Sequence, residues 1–186
     1  HRELASGLSM PVGFKNGTDG NVQIAVDAVR AAAYPHRFIG VTEQGLAAIV
    51  ATSGNRDCHL ILRGAASGPN YEAPHVQEAL AALRKANLSP RLMIDTSHGN
   101  SSKDYARQPV AASAVARQVA GGEHGIAGVL MESFLVDGRQ DFQEGAGTSS
   151  LTYGQSVTDA CMGWEMTVPV LHELAAAVRS RRKLPG

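Results

Sequence analysis

Short, unbroken apolar runs recur along the chain at intervals: Pro11-Val12-Gly13-Phe14, His59-Leu60-Ile61-Leu62, Leu92-Met93-Ile94, Ile126-Ala127-Gly128-Val129-Leu130-Met131 and, more weakly, Ser156-Val157-Thr158. Runs this short and this apolar fit strands buried on both faces, as in a parallel sheet. The stretches between them are helical in period. Val22, Ala25, Val26 and Val29 fall at i, i+3, i+4 and i+7, and Val76, Ala79, Leu80 and Leu83 repeat the spacing. Pro109 opens a third helix that Gly121-Gly122 closes. Thr167 is expected to cap a last helix whose Val170, Leu171, Leu174 and Val178 face inward. The first residues, His1 to Ser6, read as the end of a helix stopped at Gly7. One segment breaks the rhythm: two short β-type runs flank Glu43-Gln44-Gly45, which predicts an inserted hairpin over about 37–52.

Strand–helix alternation means an α/β fold. No Gly-x-Gly-x-x-Gly follows any of the runs, which removes the main support for a dinucleotide-binding sheet. The residues that end the runs favour a barrel instead. They are Lys15, Arg63, Asp95-Thr96-Ser97-His98, Glu132 and Asp159. In a (β/α) barrel the C-terminal strand ends meet at one mouth, where chemistry is done. Lysine, arginine, histidine and two carboxylates gathered there suit an anionic, phosphorylated substrate beside a divalent metal.

Composition narrows the partners. The 17 basic and 17 acidic side chains of the 186 residues cancel, so there is no general attraction to nucleic acid or to anionic lipid. With 44% hydrophobic and 18% charged residues the chain can fill a core, and disorder is excluded. No apolar run is long enough to span a bilayer. Two cysteines, Cys58 and Cys161, are too few for a disulfide framework and are expected to be reduced, packed thiols. The start of the chain lacks the layout of a signal peptide. The expected compartment is the cytoplasm.

His98, Glu132 and Asp159 come from separate strands and form a candidate metal set. Imidazole with carboxylates suits Mn, Fe, Co or Zn. Each residue also has a plainer reading. Lys15 could be a solvated loop lysine, Arg63 a structural ion-pair partner, His98 a buried or capping histidine, and Asp159 a turn cap. Glu132 is the hardest to explain plainly, because a carboxylate after six apolar residues is costly unless paired or metal-bound. Trp164 is expected to pack the start of the last helix, and the remaining histidines to be structural or superficial.

These runs also carry a resemblance. Pro11-Val12-Gly13-Phe14-Lys15-Asn16-Gly17-Thr18-Asp19-Gly20, Ile61-Leu62-Arg63-Gly64, Met93-Ile94-Asp95-Thr96-Ser97-His98-Gly99-Asn100-Ser101, Met131-Glu132-Ser133 and Thr158-Asp159-Ala160-Cys161-Met162-Gly163-Trp164-Glu165 resemble blocks of the class I 3-deoxy-D-arabino-heptulosonate-7-phosphate (DAHP) synthases, of the microbial subfamily regulated by aromatic amino acids. The resemblance implies a (β/α)8 TIM barrel and the first step of the shikimate pathway. Phosphoenolpyruvate and erythrose 4-phosphate condense to DAHP and phosphate. It implies that Lys15 and Arg63 hold phosphoenolpyruvate, that Asp159 also contacts substrate, and that His98, Glu132 and Asp159 are three of four metal ligands. Lys15, His98 and a metal-bound water are left as candidates for general acid or base. The hairpin gains a regulatory meaning: Ser9, Phe38, Gly40 and Val50 match the feedback-inhibitor pocket. Glycine at position 40 resembles the tyrosine-sensitive type, by leaving room for the phenol hydroxyl, although Gly40 could equally serve strand packing. Dimers or tetramers are implied for the whole enzyme.

The resemblance also implies residues that the sequence lacks. The family's ligand cysteine, its Lys-Pro-Arg-Thr motif and its Gly-Ala-Arg-Thr-Thr motif do not occur. Such a barrel takes about 250 residues, whereas the runs supply about the last five strands. The chain, 1–186, is therefore expected to be the C-terminal part of one barrel domain and to be inactive alone. The alternatives are a truncated, non-catalytic paralogue that binds an aromatic amino acid or a full-length subunit, and a ketodeoxyoctonate-phosphate synthase.

Overall fold

The computed structural model describes residues 1–145 and 147–185. In chain order it has α1 (Arg2–Ala5), β1 (Gly13–Lys15), α2 (Gln23–Ala32), β2 (Arg37–Val41), β3 (Ala47–Ala51), β4 (His59–Leu62), α3 (Ala73–Lys85) and β5 (Leu92–Asp95). Two 3-10 turns, His98–Ser101 and Tyr105–Arg107, lead into α4 (Gln108–Ala120). There follow β6 (Ile126–Leu130), β7 (Val136–Arg139), β8 (Gln155–Ser156) and α5 (Trp164–Arg181). Strands β1, β4, β5 and β6 make a four-stranded sheet in that order, with every pairing parallel.

Strand parity divides this sheet into two faces. Phe14, Leu60, Leu92 and Ile126 are register partners, as are Leu62, Ile94 and Val129. All of them pack in one core with Ala25 and Val26 of α2, Val76, Leu80 and Leu83 of α3, Val115 and Val119 of α4, and Ala177 of α5. The helices thus cover a single face, and strands follow one another across the sheet without reversal. A doubly wound sheet would carry helices on both faces. The other parity aligns Lys15, Ile61 and Met93 on the opposite face. Two residues further on, Arg63 and Asp95 belong to that same face.

The hairpin forms where expected: β2 and β3 pair antiparallel with Phe38 opposite Val50 and Gly40 opposite Ala48. Phe38, Gly40, Ala48 and Val50 are half-buried, whereas Ile39 and Ile49 are 84% and 76% exposed. The α1 segment is tied to the hairpin base. Ser6 Oγ lies 2.6 Å from Thr52 Oγ1, and Asn55 Nδ2 donates to Ala5 O and Met10 O.

Four expectations, for the fifth run, Thr167, Leu171 and Trp164, need correction. The fifth run is not a strand of the main sheet: Gln155–Ser156 pairs with β7, and Val157 is 45% exposed. A single apolar residue between Ser156 and Thr158 cannot sustain a buried strand. Met162, fully buried, anchors the segment instead, through the bridges Ser133–Met162 and Gly138–Cys161. Thr167 does not cap the last helix, which begins a turn earlier with Gly163 as N-cap. Its buried hydroxyl donates back to Gly163 O at 2.9 Å, leaving Leu171 and Trp164 about half exposed. Among the described residues no helix is long and apolar enough to cross a membrane.

Candidate active site

Lys15 ends β1, and Arg63, His98 and Glu132 follow β4, β5 and β6 of the four-stranded sheet, while Asp159 reaches the same place from the segment between β8 and α5. One ligand atom from each of His98, Glu132 and Asp159 can be chosen so that all lie within 4.8 Å of one another. His98 Nε2 is 3.7 Å from Glu132 Oε1. A cavity of about 110 Å³ is lined by Arg63, Ser97, His98, Lys103, Glu132, Asp159 and Ala160. The donor set, one imidazole and two carboxylates on an open cleft, fits a divalent transition metal. Lys15 adjoins through Asp95: Lys15 Nζ and His98 Nδ1 each lie 2.8 Å from Asp95 Oδ2.

The sequence fixes these side chains by a buried amide lattice. Asn16, Asn70 and Asn100 are all buried. Asn16 Oδ1 accepts from Arg63 N at 2.8 Å and from Asn70 Nδ2 at 3.2 Å, and Asn16 Nδ2 donates to Gly64 O. Asn70 Oδ1 accepts from Gly64 N, and Asn100 Oδ1 accepts from Asn70 N. Asn100 Nδ2 donates to Leu62 O and Asp95 O. The ends of β1, β4 and β5 are thereby tied, satisfying polar backbone that would otherwise be orphaned. The loops after β4 and β5 touch closely at Gly64, whose φ is +75° and whose missing Cβ would overlap Gly99 and Asn100 backbone. Only glycine meets both demands.

Glu132 is held in the same way. The amide of Gln108, a fully buried residue at the start of α4, receives Glu132 N at 2.9 Å and donates to Glu132 O at 3.0 Å. Ser97 Oγ donates to Glu132 Oε2 at 2.7 Å. His98 itself has φ +47°, and Ser102 and Lys103 are also left-handed. Non-glycine residues keep such backbone only where their surroundings over-determine it. Cys161 is close by but is a free, half-buried thiol whose Sγ–H reaches Asp159 O at 3.5 Å. Burial, with the nearby Glu132 and Asp159 charges, pushes this thiol above its ordinary range.

Sequence reading puts Asp95 and Ser97 at the end of a run without giving them a role, and it misses Lys103, Gln108 and the asparagines. For Asn70 and Gln108 the sequence offers no local signal, because each acts through partners remote in the chain. The regulatory candidates divide. Phe38, Gly40 and Val50 share one hairpin face, and a Cβ on Gly40 would lie 2.6 Å from Val50 Cγ2. Ser9 is exposed in the segment after α1.

The chain is similar to known proteins over almost its whole length. Residues 1–172 match the model of the DAHP synthetase I family. A tyrosine-inhibited phospho-2-dehydro-3-deoxyheptonate aldolase of Schizosaccharomyces pombe is 55% identical over 184 residues, 98% of this chain and 50% of that protein. A Phe-sensitive one of Escherichia coli is 55% identical over 182 residues, 98% of this chain and 51% of that protein. The solved structure of such an aldolase from Francisella tularensis superposes with a TM-score of 0.92 at 51% identity, covering 98% of this chain and 52% of that one. The chain spans about half the length of the curated relatives it matches.

Proposed function

The chain belongs to the DAHP synthetase I family, and from that premise we propose that it supplies the metal site and part of the substrate clamp for the condensation of phosphoenolpyruvate with erythrose 4-phosphate. The observation that carries this reading is the convergence of His98, Glu132 and Asp159 within 4.8 Å, beside Lys15 and Arg63. In this reading the four-stranded sheet is part of a (β/α)8 barrel, as its one-sided helix layer and half-length match support.

Lys15 and Arg63 bind the phosphate and carboxylate of phosphoenolpyruvate, with Lys103 a further cation at the mouth. Fixed cations lower the barrier by holding the enol ester in register and stabilising charge as it develops. C3 of phosphoenolpyruvate attacks the erythrose 4-phosphate aldehyde, water adds at C2, and phosphate leaves. A divalent ion held by His98, Glu132 and Asp159, either Mn, Fe, Co or Zn, supplies Lewis acidity toward the aldehyde oxygen. Ser97 and Gln108 keep Glu132 aimed at the ion's position. Lys15 and His98 are this chain's candidates for proton transfer.

Tyrosine is the proposed inhibitor, bound on the Phe38–Gly40–Val50 face, with a cytoplasmic homo-oligomer as the working assembly. Overall identity does not choose between inhibitors, since the tyrosine- and Phe-sensitive relatives are equally similar. The test is a chimera joining this chain to the N-terminal half of the S. pombe relative, assayed for DAHP and phosphate with Mn²⁺. Turnover that Lys15→Met abolishes is expected; a folded, inactive chimera refutes the assignment. This chain assayed by itself is expected to show almost no turnover.

A further inference from the structure

Asp95 ends β5 with its carboxylate fully buried. An isolated buried carboxylate is strongly unfavourable, so its partners define its purpose. Oδ1 accepts from Ser97 N at 2.9 Å. Oδ2 is shared: Lys15 Nζ donates to it at 2.8 Å, and His98 Nδ1 approaches to 2.8 Å. Nδ1 is buried and makes no hydrogen bond, the contact with Oδ2 being close but not aligned. The distance still fixes the proton. A carboxylate paired with an ammonium is only an acceptor, and two bare acceptors do not rest 2.8 Å apart. The contact thus calls for the proton on Nδ1, and in a neutral ring the lone pair is then on Nε2, the atom 3.7 Å from Glu132 Oε1.

We propose that Asp95 is a positioning residue that couples the anion-clamp lysine to the metal ligand, fixing the Lys15 ammonium and the His98 tautomer through a single carboxylate oxygen. The inference rests on the reading of His98, Glu132 and Asp159 as a metal site. A carboxylate behind a metal-bound imidazole raises the ligand's basicity and sets its orientation. Here the same oxygen also holds a substrate-binding cation, so a shift at either group is felt by the other. A metal held by His98 and a phosphate held by Lys15 would each polarise a partner of this one oxygen, and such a coupling is reciprocal.

The test measures Co²⁺ binding to the chain by chelator competition, with the Co²⁺ visible spectrum reporting ligand geometry. In Asp95→Asn an amide nitrogen replaces one acceptor, and binding is expected to weaken about 10- to 100-fold. Asp95→Glu is expected to recover part of the loss. Lys15→Met removes the cation that shares Asp95 Oδ2 but leaves the Asp95–His98 contact, so Co²⁺ should bind more tightly than to the unaltered chain. The ring ¹⁵N spectrum of His98 in the unaltered, metal-free chain needs no variant to fold; it is expected to show Nδ1 protonated and Nε2 bare. A protonated Nε2, binding by Asp95→Asn within about twofold of the unaltered chain, or an equal loss in Lys15→Met overturns the proposal. Failure of the unaltered chain to bind Co²⁺ sinks the metal reading itself, and the coupling with it. Tight binding indifferent to Asp95 sinks only the coupling.

Discussion

Asn100 offers the sharpest perturbation of the site's framework. Its amide donates to Leu62 O at 3.1 Å and to Asp95 O at 2.7 Å, and accepts from Asn70 N at 2.8 Å, all in the interior. Asn100→Ala strands two carbonyls and one N–H. A buried polar group left without its partner costs about 1–3 kcal/mol. The carbonyls can lean on their second lone pairs, so the three together come to about 3–6 kcal/mol. That is a large part of the roughly 5–15 kcal/mol that holds a domain folded. Even the lower end lowers Tm by about 6–12 °C for a chain of this size. Asn100→Asp keeps the acceptor for Asn70 but turns lone pairs toward two carbonyl oxygens, and is expected to do no better than alanine. Urea unfolding followed by far-UV circular dichroism measures both variants. A loss below about 1 kcal/mol in Asn100→Ala would show that the amide does not tie β4 to β5.

Other perturbations test separate parts of the account. Gly64→Ala must place a Cβ at φ +75° against the backbone of Gly99 and Asn100, and is expected to destabilise by about 2–4 kcal/mol in the same unfolding assay. Gly40→Ser sets a Cβ 2.6 Å from Val50 Cγ2, forcing Val50 to turn into the proposed pocket. Tyrosine inhibition of the chimeric synthase is expected to weaken, and undiminished inhibition would contradict the pocket assignment. The Cys58 thiol is pushed up by burial and by the neighbouring Asp57 charge. Since the thiolate is the nucleophile, iodoacetamide should alkylate Cys58 more slowly in the folded chain than in the unfolded one near pH 8, with the gap closing as pH rises.

Much of this architecture is legible in the sequence because burial on both faces leaves unbroken apolar runs. His59–Leu62 and the hairpin are read almost residue for residue. The site residues are legible for a related reason: a charged side chain directly after such a run has few explanations besides chemistry. Legibility fails where a segment is held by partners remote in the chain. Met162 is held by an isolated bridge to Ser133 rather than within an apolar run, so the weak run Ser156–Thr158 suggests a sheet strand where only Gln155–Ser156 pairs, and with β7. Thr167 has the chemistry of a cap, but its hydroxyl serves the helix interior and Ser133. The asparagine lattice shows no pattern in the sequence because five of its seven hydrogen bonds span 30 to 54 residues.

The central claim is that the polar strand ends form one metal-centred site for phosphoenolpyruvate. The most direct measurement is the ³¹P relaxation of phosphoenolpyruvate mixed with the chain and Mn²⁺, which detects weak as well as tight binding. The account predicts strong paramagnetic enhancement that His98→Ala removes and that Lys15→Met or Arg63→Ala reduces. Relaxation no greater than that of free Mn²⁺ with phosphoenolpyruvate, or enhancement indifferent to all three substitutions, would contradict it.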